Sequence, residues 1–172
     1  MRTHTLTHIH THTHTYTAWP HPAAVYSGSW DMSIRMWDTE IGTCSRHMLG
    51  NKAVSAISFS HVGNLLATAH NDRAVRIWDP RMKDAEVVKL TLRSHAGWVT
   101  DVAFSPTLPN TLASTSHDGT VKLWDIRSKI PLHTLQTHTD KVLSLDWYND
   151  SNVLSGGADR QLRTHAIRSA PA

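Results

Sequence analysis

Cysteine, long apolar runs and blocks of like charge are all scarce in this chain. The one cysteine in 172 residues, Cys44, rules out an intrachain disulfide framework and suits a reducing compartment. No segment reaches the roughly 18 consecutive apolar residues of a membrane span, and no apolar leader opens the chain. Neither membrane insertion nor secretion is therefore signalled. Charge is interspersed: 17 Lys and Arg stand against 14 Asp and Glu, giving a net +3. With no cluster of about five like charges, a polyanion-binding tail is missing and nuclear import has no readable signal. Helical periodicity is missing too. No segment sustains a 3.6-residue apolar repeat, so the chain reads as all-β.

What the chain does have is one short pattern in four copies. Three read SGSWDMSIRMWD (Ser27 to Asp38), TAHNDRAVRIWD (Thr68 to Asp79) and STSHDGTVKLWD (Ser114 to Asp125). The fourth, SGGADRQLRTHA (Ser155 to Ala166), loses the Trp-Asp ending. An Asp stands four residues after a small hydroxyl residue in every copy: Asp31, Asp72, Asp118 and Asp159. Trp37, Trp78 and Trp124 are 41 and 46 residues apart. Each copy holds two β-prone runs around a tight turn, with Asp118-Gly119 the clearest hairpin signal. An apolar run lies upstream of the pair (Val54 to Ser60, Val99 to Ser105, Val142 to Trp147). Another lies downstream (Val87 to Arg93, Leu132 to Gln136). Four short strands in about 40–45 residues is the arithmetic of a propeller blade.

The pattern resembles the WD-repeat family from about Trp19 onward. That resemblance implies four blades, near 19–49, 50–93, 94–136 and 137–172, after a low-complexity segment at 1–18. It also implies a structural network in each blade, made of a His before the first strand, a Ser or Thr, the turn Asp and the Trp. The third copy has all four as His95, Ser114, Asp118 and Trp124. The second has Thr68, Asp72 and Trp78, with Asn51 in the His position. The first has Ser27, Asp31 and Trp37 without a recognisable His. The fourth has His138, Ser155 and Asp159, with His165 in the Trp position. One complete network is expected, with weaker outer blades.

Some stretches go beyond the repeat consensus: GNKAVSAISFS, SHAGWVTDVAFSPT, Asp79-Pro80-Arg81 followed by Lys83-Asp84, and Leu154 to Asp159. They are similar to the C-terminal blades of the ribosome-biogenesis WD-repeat proteins of the PeBoW complex, partners of pescadillo and the Bop propeller. That resemblance implies a non-catalytic scaffold for pre-60S assembly and pre-rRNA processing, placed in the nucleolus and nucleoplasm. Cofactors are not implied. The family's ring has about seven blades, so four would form a partial, open propeller prone to self-association. Its N-terminal ubiquitin-like domain engages midasin. Nothing here matches that domain, and midasin binding is not expected.

Residues 3 to 17 alternate Thr with His almost without interruption. As a strand, the tract would place His4, His8, His10, His12 and His14 where i, i+2 imidazole pairs chelate Ni²⁺ or Cu²⁺. A repeated AC dinucleotide encodes the same alternation, so the tract reads as translated simple repeat and its metal binding as adventitious. A His-rich metal-binding protein is the alternative function.

His95, Ser114 and Asp118 superficially spell a hydrolase triad, but His138, Ser155 and Asp159 repeat it, as structural residues would. The ladder Arg35, Arg76, Lys122 and Arg163 alternates outward on each third strand, as an ordinary solvated position, which makes direct RNA binding unexpected. Cys44 falls in an outer strand with no evident base. Trp30, Trp98 and Trp147 lie outside the Trp-Asp endings and read as packed between blades, with Trp98 also suited to a partner-binding rim.

Overall fold

The computed structural model describes residues 15–21, 23–50, 52–82, 88–149 and 151–167. The strands form four antiparallel sheets in chain order. Sheet A holds β1 (Thr15–His21), β2 (Ala24–Ser29), β3 (Ser33–Asp38) and β4 (Thr43–Leu49). Sheet B holds β5 (Val54–Ser60), β6 (Leu65–His70), β7 (Ala74–Trp78) and β8 (Val88–Arg93). Sheet C holds β9 (Val99–Phe104), β10 (Thr111–Ser116), β11 (Thr120–Asp125) and β12 (Pro131–Gln136). Sheet D holds β13 (Val142–Asn149), β14 (Asn152–Gly157) and β15 (Leu162–Ala166), three strands among the described residues. No helix occurs among the described residues. The architecture is the expected partial, open β-propeller. β1 begins within the Thr/His tract and crosses the boundary expected at residue 18.

Every sheet is a meander, so each hairpin fixes its own register and no crossover is needed. The turn between second and third strands is made the same way four times. The residue after the turn Asp has positive φ: Met32 at 71°, Arg73 at 67°, Gly119 at 78° and Arg160 at 62°. Only sheet C spends a glycine there, which is why its hairpin was the most legible.

The core lies between sheets. Tyr26, Ile34 and Met48 of sheet A pack on Val54, Leu66 and Trp78 of sheet B. Ala67, Val75, Ile77 and Leu92 of sheet B pack on Val102, Phe104, Leu112 and Trp124 of sheet C. Ala113, Val121 and Leu123 of sheet C pack on Val142, Leu145 and Val153 of sheet D. The middle strands of sheet B are therefore covered on both faces. β6 and β7 are buried at every residue, and the small Ala67 and Ala69 let the sheets approach.

Polar bonds stitch the first strands together across these seams. Ser55 Oγ donates to Val99 O (2.5 Å), and Phe104 N donates to Ser58 Oγ (3.1 Å). At the next seam Thr100 Oγ1 donates to Val142 O (2.8 Å), and Leu145 N donates to Asp101 Oδ2 (2.8 Å). Ser55, Thr100 and Leu143 occupy a bulge at the same place in β5, β9 and β13. A bulge re-aims its side chain. In β5 and β9 that side chain is the hydroxyl that ties on the next blade.

Candidate functional site

In sheet C four side chains close a polar network. His95 Nδ1 faces Asp118 Oδ2 at 3.0 Å, and Nε2 faces Ser114 Oγ at 2.8 Å. Trp124 Nε1 donates to the same Oγ at 2.8 Å. Burial pushes the Asp118 carboxyl upward, but bonds from His95, Thr120 and the Ala96 N–H outweigh it and hold Asp118 well below the usual carboxylate range. Burial lowers the His95 pKa, so the imidazole is neutral. One direction of donation satisfies every atom: indole N–H to Ser114, Ser114 O–H to His95, His95 Nδ1–H to the carboxylate.

Sheet D closes a second network with a histidine in place of the indole. His138 Nδ1 meets Asp159 at 2.9 Å and Nε2 meets Ser155 Oγ at 2.9 Å. His165 Nε2 completes it at 2.8 Å from Ser155 Oγ. The expectation of a single complete network thus undercounts, because a neutral His165 offers the same N–H donor as Trp.

Sheet B is wired differently. Val54 pairs with His70 as Val99 pairs with Ser116, so Gly50, not Asn51, stands where His95 does, four residues before the strand. Asn51 lies outside the described residues. The missing imidazole comes from within the sheet. His70 Nε2 lies 2.8 Å from Thr68 Oγ1, which also accepts Trp78 Nε1 at 2.8 Å. His70 Nδ1 reaches the carbonyls of Lys52 (3.2 Å) and Ala53 (3.1 Å). Burial, helped by the Arg76 charge, lowers the His70 pKa to about 4. Asp72, relieved of a histidine, takes a bidentate pair with Arg76 at 3.0 and 2.6 Å.

One position explains the exchange. Two residues before the turn Asp stand Ser29, His70, Ser116 and Gly157. Where a loop histidine is present this residue is small. A Cβ on Gly157 would run into His138 Nδ1 and Asp159 Oδ1. Where the loop carries Gly50, the imidazole grows from this position instead. In sheet A, Trp37 Nε1 donates to Ser27 Oγ (2.7 Å), and Asp31 accepts from Ser33 N and Oγ (2.9 and 2.7 Å).

The His95, Ser114 and Asp118 bonds have the pattern of a hydrolytic triad, but Ser114 is fully buried and its oxygen already accepts the Trp124 indole. No carbonyl carbon can approach it, and the trio is structural. The basic ladder differs from expectation. Arg76 and Lys122 are buried rather than solvated, because neighbouring sheets cover both faces. Arg76 is held by Asp72 and Lys122 Nζ by Thr134 Oγ1 (3.0 Å). Arg35 lies over the Trp37 ring, and Arg163 donates to Gln161. Asp79-Pro80-Arg81 folds back on itself, with Arg81 Nε and Nη2 each 2.8 Å from the Asp79 carboxylate. Lys83 and Asp84 lie outside the described residues.

Trp147 packs between sheets C and D and donates to Ala103 O (3.1 Å), as read. Trp30 and Trp98 do not pack away; they are 49 % and 53 % exposed, because both sit in loops at the ends of strands. Cys44 is exposed on the outer strand β4. His4, His8, His10, His12 and His14 lie outside the described residues. Among the described residues no group of three His, Cys, Asp or Glu side chains could hold a metal.

Four consecutive meander blades, packed face to face and each holding a buried polar network around its second-strand hydroxyl, define a β-propeller of the WD-repeat class. Residues 4–166 match the family described as nucleolar protein 10-like, N-terminal domain, a β-propeller, and the chain belongs to that family. It is similar to the ribosome biogenesis protein WDR12 homolog of Chlamydomonas reinhardtii, 46% identical over 159 residues, covering 86% of this chain and 35% of the relative. The homologs of the same name from Ixodes scapularis (42%) and Nematostella vectensis (41%) each align with 84% of this chain and 34% and 35% of their own length. The chain thus spans about a third of the length of the curated relatives it matches.

Proposed function

We propose that this chain is a non-enzymatic interaction scaffold of large-ribosomal-subunit assembly and pre-rRNA processing. Its partners on this reading are the Bop propeller, pescadillo and the pre-60S particle, and its place is the nucleolus and nucleoplasm. The observation that carries the reading is identity above 40% to ribosome biogenesis relatives across most of the chain. The polar networks support it. Their hydroxyls, carboxylates and imidazoles satisfy one another inside the blades, leaving loops and strand ends as the surface offered to partners.

The test is expression of the tagged chain in cells, followed by gradient sedimentation, affinity purification and imaging. Co-sedimentation with pre-60S particles and recovery of Bop and pescadillo are expected. A chain that stays at the top of the gradient, outside nucleoli and without either protein, overturns the proposal.

A further inference from the structure

Sheets A and B leave a cavity of about 420 Å³ at their seam, at the end of the sheets away from the network turns. Its apolar walls include Tyr26 of β2, Met36 of β3 and Phe59 of β5, and Asn64 from the β5–β6 turn stands beside them. The Tyr26 and Phe59 rings stack with centroids 5.8 Å apart and planes at 13°, so one face of each is spent on the other. Tyr26 is only 5 % exposed, yet its hydroxyl has no hydrogen-bond partner among the described residues. Burial raises the pKa of that hydroxyl, against the pull of the Arg46 charge, so the group is a protonated O–H donor within reach of a cation.

Two arginines line the same cavity, and both are pinned. Arg46 of β4 donates through Nη1 to Pro80 O (2.9 Å) and Met82 O (3.3 Å), which straps sheet A to the loop after β7. The rest of its fork meets no carboxylate among the described residues. Arg81 is fixed by Asp79 through Nε and Nη2, both at 2.8 Å, which leaves Nη1. Lys89 Nζ stands 3.5 Å from the same carboxylate. Arg46, Arg81 and Lys89 thus share the single carboxylate of Asp79, and no acidic side chain lines the cavity among the described residues. Asp38, paired with the lining residue Ala24 across the hairpin, spends Oδ1 on the N–H groups of Glu40 and Ile41.

We infer that this cavity takes one glutamate side chain from an acidic segment of a partner protein. A buried O–H without an acceptor and two fixed guanidinium groups are donors awaiting one anion, and a carboxylate is the planar acceptor that matches an arginine fork. Met36 and Phe59 offer the methylene stem an apolar surface, and the volume leaves room for the backbone that carries it. The excess positive charge supplies the complementarity for the acidic flanks. A phosphate group has tetrahedral oxygens and no apolar stem, so it would leave those two walls without a contact.

The inference is independent of the assembly role, since it concerns one surface and one ligand chemistry. Titration of the isotope-labelled full chain, followed through its backbone-amide NMR shifts, tests it. The probes are a capped peptide with one glutamate among alanines, the same peptide with glutamine, the same peptide with phosphoserine, and an oligouridylate. The glutamate peptide is expected to shift the amides of Arg46, Asn64 and Arg81, to bind at least about fivefold more tightly than the other three probes, and to weaken with salt. Tyr26→Phe removes the hydroxyl alone and is expected to weaken binding about fivefold with the unfolding midpoint held, because that hydroxyl has no partner to lose. Arg46→Gln is expected to weaken it about tenfold. Asp84 and Glu86 follow in the same loop, outside the described residues. Neutralising both, as Asp84→Asn with Glu86→Gln, is expected to leave the affinity within about threefold. A gain of about tenfold there would mean that the chain's own loop fills the cavity, and overturns the inference. Equal affinity for the glutamate and glutamine peptides, tighter binding of phosphoserine or RNA at these amides, no shifts with the glutamate peptide, or no effect of Tyr26→Phe also overturns it.

Discussion

His70 and Thr68 stand two residues apart on β6, and their side chains meet at 2.8 Å. In sheet C the same bond joins His95 and Ser114, 19 residues apart and on different segments. The two blades thus hold one imidazole in one relation to a hydroxyl and an indole, reached from opposite sides. A bond between segments pins the entering loop to the sheet. A bond within one strand cannot, and His70 restores that tie through the carbonyls of Lys52 and Ala53.

Moving the histidine should therefore be partly reversible. His70→Ser leaves Thr68 and the two carbonyls short of a partner and is expected to cost about 1–3 kcal/mol. Adding Gly50→His should recover part of that loss, because the new imidazole enters from the loop over a small residue, as His95 does over Ser116. Recovery will be incomplete, since a Cβ at position 50 comes to 3.0 Å from Met32 O. Denaturant midpoints of the two single variants and the double variant measure the coupling. Strict additivity would refute the exchange.

His95 and Asp118 should behave as one unit. Each single alanine variant orphans the other partner inside the blade and is expected to cost about 1–3 kcal/mol. The double variant is expected to cost little more than either alone. A full double-mutant cycle in urea reports the interaction energy, and a value near zero would mean the 3.0 Å bond carries no stability.

The hairpin turns predict opposite outcomes for two substitutions at the same place. Gly119→Ala puts a Cβ at 3.0 Å from His138 O on a residue with φ of 78°, and should cost about 1–2 kcal/mol. Arg73→Gly relieves a side chain held at 67° and should gain about 0.5–1 kcal/mol. Thermal melts of the two variants check the pair, and stabilisation by Gly119→Ala would break the pattern.

The blades were legible because their determinants are local. Asp in the turn, β-prone runs at even spacing and Trp at the end of the third strand each act within a hairpin. What escaped reading depends on neighbours. Arg76 and Lys122 alternate outward as if solvated, yet a propeller covers both faces of a sheet, so the outward face is another seam. His70 was overlooked because it lies in the second strand, although a histidine where sister copies carry Ser or Gly was a visible signal. Trp98 and Leu143 sit at strand entries whose exposure depends on how the sheets stand together.

Acid should attack sheet B through His70. Its pKa is about 4 in the fold against 6.5 for the free group, so the unfolded chain binds the extra proton between those values. The stability tied to the neutral imidazole is present above pH 6.5 and is lost as pH falls toward 4, about 3 kcal/mol over the window. Asp72 opposes this electrostatically and Arg76 reinforces it. His70→Asn, which cannot titrate, is expected to flatten this part of the stability profile. An unchanged profile would place the acid sensitivity elsewhere.

Asp101 should act in the opposite direction at the seam between sheets C and D. Burial raises its carboxyl to about 6 from 3.8, with Asp146 adding to the rise, while the N–H groups of Leu145 and Val102 resist it. A raised carboxyl pKa means that the folded chain holds the proton more tightly than the unfolded one. The associated stability is therefore full below pH 3.8 and is lost as pH rises through 6. The side chain keeps some contact with solvent, so the loss is set at about 2 kcal/mol rather than the larger value for full burial. The bond to Leu145 N at 2.8 Å crosses from one blade to the next, so the cost of the ionised carboxylate falls on blade docking. Asp101→Asn removes the titration while keeping an oxygen for that N–H. Measured against the parent in urea from pH 4 to pH 7, the variant should gain about 2 kcal/mol in relative stability, whatever the difference at pH 4. A parallel pair of profiles would mean that Asp101 ionises in the fold as it does in the open chain, and that the seam is indifferent to its charge.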